Sequence, residues 1–151
     1  MRRPEEVFVV VHRQGRTESD FLILERSPER QGYWHVVAGA LDHDEDAATA
    51  AARELREETG LETPVVDLDR RYLYALDDEP PEVRARFAAD VTEVAVTAFA
   101  AEAPPNWEPA LDEEHVDHRW CTASEAIALL RYPEPQDGVR ETARRLHEGV
   151  L

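Results

Sequence analysis

Three glutamates, Glu54, Glu57 and Glu58, stand at positions i, i+3 and i+4. On a helix that spacing puts all three carboxylates on one face. Three like charges there destabilise an isolated helix, and two lie near its C-terminus, where the macrodipole disfavours anions. No basic partner is expected on the same face, so a divalent cation would remove both penalties. Oxygen ligands suit Mg²⁺ or Mn²⁺. The competing reading is a solvated acidic helix laced with arginines. The glycine entry, the helix stop and the spacing weigh against it.

Residues 47–59 are strong helix formers throughout. Gly60 followed by Leu61 is a helix stop, because glycine is free to take positive φ. At 100° per residue the acidic face also carries Ala47, Ala50 and Ala51, too small to block a ligand. Ala48, Ala52 and Leu55 fall on an adjacent face suited to packing on a sheet, and Thr49 and Arg56 point away from both. Around this helix the pattern predicts buried strands at 7–12 and 21–26, joined by a loop carrying Gly15. A turn follows at 27–32, then a short strand at 33–37 leading into Ala38-Gly39-Ala40. Further strands are predicted at 65–76, 91–100 and 116–121, with loops at 77–82 and 103–111. Thr122 with Glu125 forms a capping-box pattern that starts a helix running to Leu130. A last helix lies within 135–149. Helices mixed with many strands predict an α/β fold with a sheet between helices.

The 151 residues suit one domain, 1–151. There are 33 acidic and 17 basic residues, giving a formal charge of −16. That charge repels nucleic acid backbones, so no polynucleotide partner is expected. An anionic small substrate meets the same repulsion and needs a bound cation to bring it in. All the basic residues are arginine. The absence of lysine excludes lysine Schiff-base chemistry and the Walker A motif. Cys121 is the single cysteine, which allows no internal disulfide and reads as buried filler. The apolar run at 7–11 is too short for a signal peptide or a membrane span, so a cytoplasmic protein without membrane contact is expected. A homodimer is an open alternative. The spacing of His43, His115, His118 and His147 does not match a zinc site.

The segment from Gly39 to Leu61 resembles the Nudix box, G-x5-E-x7-R-E-U-x-E-E-x-G-U, with U aliphatic. Gly39, Glu45, Arg53, Glu54, Leu55, Glu57, Glu58, Gly60 and Leu61 match every fixed position. The resemblance implies a Nudix-type α/β/α sandwich with a mixed β-sheet, and metal-dependent hydrolysis of a phosphoanhydride bond in a nucleoside-diphosphate-linked small molecule. It implies that Glu57 and Glu58 bind metal. Glu54 would be a general base or a further ligand. Arg53 and Glu45 would brace the loop–helix–loop, the carbonyl of Ala38 would complete a metal site, and Leu55 and Leu61 would pack. Many members carry Pro-Gly-Gly where this chain has Ala38-Gly39-Ala40.

Outside the box, Arg26, the stretch 34–39 led by Trp34, and Arg86-Phe87-Ala88 with Val91-Thr92 resemble the dihydroneopterin triphosphate pyrophosphohydrolases of that family, which also act on nucleoside triphosphates such as dATP. His35 stands where that subgroup usually has glutamine. The likeness implies substrate contacts from Arg26, Trp34, Arg86 and Phe87. Arg26 has the planar fork that holds a phosphate, although a surface ion pair is an equal reading. Trp34, Phe87 and Trp107 are rings suited to stacking on a heterocycle, or anchors in core and loops. Glu114-His115 resembles a Glu-His pair that many members place opposite the glutamate helix. Glu114 would then supply a ligand or the base, with Glu113 as an adjacent competitor. The alternatives are a hydrolase of dinucleoside polyphosphates or ADP-sugars, and a non-catalytic ligand-binding regulator, which would predict eroded glutamates. An isopentenyl diphosphate isomerase would call for a cysteine near the box entry, and Cys121 lies elsewhere.

Overall fold

The computed structural model describes residues 1–151. Strand β1 (Glu5–Gln14) and β2 (Ser19–Arg26) form an antiparallel hairpin, their inner residues all buried. A 3₁₀ turn at Pro28–Arg30 leads into the short β3 (Trp34–His35) and β4 (Val37–Ala40). Helix α1 (Ala47–Thr59) follows, then β5 (Val66–Ala75), the single-turn α2 (Pro81–Arg84), β6 (Glu93–Glu102), β7 (His115–Cys121), α3 (Ala123–Leu129) and α4 (Pro133–Glu148). The main sheet order is β3-β2-β1-β6-β5, with β4 also on β1 and β7 also on β2. Only β1 and β6 pair in parallel, so the sheet is mixed.

The period-two alternation of β1 explains the layers. Val7, Val9 and Val11 meet Ala50, Ala51 and Leu55 of α1 in one core. Phe8 and Val10 meet Ala126, Leu130 and Val139, from the α3–α4 side, in the other. Gly138 lets α4 approach closely, since a Cβ there would sit 2.6 Å from the Phe8 ring. The result is the expected α/β/α sandwich. Thr122 and Glu125 do form the capping box at α3, and Cys121 is buried. The predicted loop at 77–82 contains structure instead: a 3₁₀ turn at Leu76–Asp78 and the start of α2. Pro81 at the first helical position has no N–H to lose and a φ already set for helix.

The faces of α1 divide differently from the expectation. Ala50 and Ala51 are core residues, whereas Ala48 is exposed. Glu58 lies on the buried side as well, at 1% exposure. The acidic face and the packing face therefore overlap, and one carboxyl is driven into the protein interior. Thr49 and Arg56 are exposed, as predicted.

Candidate active site

Two ends fix α1. Asp46 caps the start by accepting from the Thr49 N–H at 2.8 Å. Gly60, at φ +82°, closes the last turn through its own N–H to the Arg56 carbonyl. Strand β4 runs alongside and presents Ala38, Gly39 and Ala40 to the helix. Gly39 is needed for space: a Cβ would lie 2.2 Å from Glu54 Oε1.

Arg53 ties the loop to the helix. Its Nε and Nη2 donate to the two oxygens of Glu45, each at 2.9 Å, and Nη2 also reaches the Ala40 carbonyl at 3.0 Å. Nη1 donates to Glu54 at 2.9 Å and to Glu57 at 3.2 Å. The expectation that the glutamates lack a basic partner is thus overturned. The reach of an arginine carries its guanidinium round to the acidic face from a Cα that points elsewhere. Its hydrogen bonds hold the Glu45 carboxyl down at about 2. A carboxyl depressed on folding contributes stability above its ordinary value near 4.5, and that contribution is lost as pH falls through the depressed value. We expect stability to fall from pH 4.5 toward pH 2 more steeply in wild type than in Glu45→Gln. Urea midpoints across that range check this, and equal slopes would refute it.

Glu58 is the most enclosed of the three carboxyls. The Ala38 N–H donates to its Oε1 at 3.4 Å, and His115 Nε2 stands 3.7 Å from the same oxygen. Its Oε2 is buried without a partner. Burial raises its pKa well above the usual carboxylate value, and the neighbouring Glu54 carboxyl adds to this. Burial raises Glu54 too, against the opposing pull of Glu58 and Arg53. Glu57 is half exposed and pairs with Arg53 alone. No three carboxylate or imidazole groups are gathered into a closed metal cage. The donor set still fits a hard cation: an orphaned carboxylate oxygen, a second carboxyl crowded against the first, and a third at the rim. Mg²⁺ keeps several waters and takes few protein ligands, so an open half-site suffices.

Two of the three, Glu54 and Glu57, border a cleft of about 1060 Å³. Glu54, Glu57, Ala38 and Gly39 line it, and Arg26, Arg86, Phe87 and Glu114 do as well. Arg26 makes no ion pair. Its Nε donates to the Arg30 carbonyl at 3.3 Å, and its guanidinium lies 5.2 Å from the Tyr33 ring centre. Glu114 pairs with Arg30 at 3.0 Å rather than with the glutamate helix. Phe87 is buried with Leu76 and Val94, and Arg86 is exposed at the rim. Trp34 lies outside the cleft lining, packed on the α3–α4 core with Arg119 4.8 Å from its ring centre. Trp107 stacks edge-on against Trp120, also away from the cleft.

The structure adds rings to which sequence reasoning gave no role in the site. Tyr33, His35 and Tyr132 form a cluster of rings on the cleft wall. Burial, then the charges of Arg26 and His115, push His35 down to about 3, so it is neutral at physiological pH. Asp112 accepts at His115 Nδ1 at 2.7 Å. The signal for this pair was present as an Asp-x-x-His turn entering a strand, but the adjacent Glu113 and Glu114 drew attention from it.

The family model described as NUDIX domain matches residues 2–145. Phosphatase NudJ of Escherichia coli K12 is 34% identical over 136 residues, covering 89% of this chain and 79% of that protein. An octanoyltransferase of Myxococcus xanthus is 40% identical over 129 residues, 85% of this chain. The chain spans only 32% of that relative's length. Among solved structures, the dihydroneopterin triphosphate pyrophosphohydrolase of Escherichia coli superposes with a TM-score of 0.80 over 95% of this chain and 97% of that one, at 24% identity, which shows a common fold.

Proposed function

The chain belongs to the NUDIX family of hydrolases acting on phosphoanhydrides, and from that premise we propose that it cleaves a triphosphate carrying a flat heterocycle, pterin or purine. The observation that carries this reading is the cleft itself. It is lined by Glu54 and Glu57 of α1, by Arg26, a cation without an anionic partner, and by the rings of Tyr33 and Tyr132. Eleven acidic side chains line it against four arginines. A polyphosphate enters such a cleft only with cations that offset that field.

Glu54, Glu57, Glu58 and the Ala38 carbonyl would hold Mg²⁺ or Mn²⁺, which supplies positive charge to the phosphate oxygens and acidifies a water. Glu54 takes the proton of the attacking water, and the bridging oxygen leaves as the new P–O bond forms. Arg53 holds Glu54 in place and limits the charge that α1 must carry. Arg26 receives a phosphate through its fork. Arg86 and Phe87 close the far rim. Glu114 stands ready as a second base once its pairing with Arg30 is released. A single domain over 1–151 that works without nucleic acid or membrane contact completes the proposal.

The expected result is a kcat/KM for dihydroneopterin triphosphate or dATP at least tenfold above that for ADP-ribose and a dinucleoside polyphosphate, assayed with Mg²⁺. A tenfold preference for either of the latter refutes the substrate reading and leaves the hydrolase assignment standing. Arg26→Ala is expected to raise KM more than it lowers kcat.

A further inference from the structure

The Glu-His pair at the start of β7 enters the proposal above only through its glutamate, while the histidine is the residue that approaches α1. His115 has 1% of its side chain exposed and lies between two carboxyls. Asp112, on the cleft wall, holds Nδ1 at 2.7 Å. That contact fixes the ring plane and leaves Nε2 facing Glu58 Oε1 at 3.7 Å, within ion-pair reach and beyond a hydrogen bond. His115 Nε2 and Glu58 Oε2 are both buried without a hydrogen-bond partner. Two orphaned polar atoms on neighbouring side chains in an interior are costly unless something else completes them.

The arrangement is asymmetric about the Glu58 carboxyl. Oε1 is addressed from two directions, by the Ala38 N–H from β4 and by His115 from β7. Oε2 is left free of protein donors. A carboxylate on a flexible side chain has no intrinsic reason to present one oxygen; the two neighbours of Oε1 supply it. We propose that His115, held by Asp112, is a positioning residue that orients Glu58 so that its second oxygen is offered to a divalent cation. This rests on the metal role of Glu58 proposed above. The pattern of carboxylate, imidazole and ligand follows the general logic by which outer groups aim inner ones, and removing such a partner weakens metal binding by about 10–100-fold.

The two amide replacements of histidine separate the two ring nitrogens. Asparagine reproduces Nδ1 and not Nε2; glutamine reaches the Nε2 position. Mn²⁺ alone is titrated calorimetrically into the 151-residue protein. We expect His115→Asn to weaken Mn²⁺ binding at least tenfold, and His115→Gln to stay within threefold of wild type. Asp112→Asn, at a half-buried position that tolerates the change, should fall between them. In a Glu58→Gln background the asparagine change should add nothing, because its effect passes through Glu58. With substrate, kcat should fall and KM stay. Equal affinities in all three variants, or equal losses in both His115 variants, overturn the positioning role. So does a full additional loss in the Glu58→Gln background. A wild type that binds no Mn²⁺ overturns the metal reading of α1 and this inference with it.

Discussion

Glu54→Gln should lose about 10²–10⁴ in kcat, the range expected when a positioned base is removed, while remaining folded. Glu58→Gln should lose activity comparably and be at least as stable as wild type. The stability half of this expectation follows from where the charges sit. Glu58 is interior, and its carboxyl is pushed well above the ordinary value of 4.5 by burial and by Glu54. A carboxyl raised on folding binds its proton more tightly in the folded state. Its contribution to stability is therefore complete below pH 4.5 and is lost as pH rises through the raised value. Above pH 4.5 the folded state must either hold that proton or bear a buried charge, and the neutral amide removes either cost. Thermal melts at pH 7 without metal should give Glu58→Gln a Tm equal to or above that of wild type. The gap should close on acidification toward pH 4.5. A Tm well below wild type at pH 7 would mean that Glu58 is structural. Rates within tenfold of wild type, about 1.4 kcal/mol in barrier, would place the chemistry elsewhere.

A fold that buries a carboxyl it would be more stable without is the pattern expected of a working site. How far this could be read from the sequence depended on which physical rule was in force. Strands β1 and β2, the helix stop at Gly60 and the capping box at Thr122 obey local rules of period, φ and hydrogen bonding. Those rules need no knowledge of the rest of the chain, and each feature appears where local reasoning placed it. The face of α1 obeys no such rule. Helical angles give the order of residues around the axis, but the core's position on that circle is set by how β1 and β4 meet the helix. Without that, Ala48 and Ala52 looked like packing residues, and Ala50, Ala51 and Glu58 looked like the open face.

Reach was the second thing hidden. Arg53 meets Glu54 and Glu57 because its guanidinium stands far from its Cα. His115 meets Glu58 because β7 pairs with β2 rather than with its sequence neighbours. Trp34 resembles a pocket residue by its position before the box, yet it packs away from the cleft on the α3–α4 side. Its neighbours Tyr33 and His35 line the cleft instead. A two-residue strand is too short for alternation alone to decide which of its residues faces the substrate.

The two glycines at the ends of the box are there for different reasons, and substitution should separate them. Gly60 sits at φ +82°, a left-handed conformation that costs a non-glycine residue about 1–2 kcal/mol. No close neighbour stands where its Cβ would go; the nearest heavy atom is 3.8 Å away. Gly39 has an ordinary φ, but its Cβ would lie 2.2 Å from Glu54 Oε1 and 2.3 Å from the carboxyl carbon. What blocks it is the end of a flexible side chain, so the backbone can stay and Glu54 must turn away. Gly39→Ala should therefore fold with a loss of about 1–3 kcal/mol, as for overpacking elsewhere. Its kcat should still drop by at least 10²-fold, since a displacement of about 1 Å in a reacting group can cost that much. Gly60→Ala should show a similar stability loss with kcat reduced less than tenfold. Urea titration and steady-state rates on the two variants give the comparison. If Gly39→Ala kept a third of wild-type kcat, Glu54 would not need the orientation seen here. If Gly60→Ala were the slower enzyme, the turn after α1 would govern the site more than the close approach of β4.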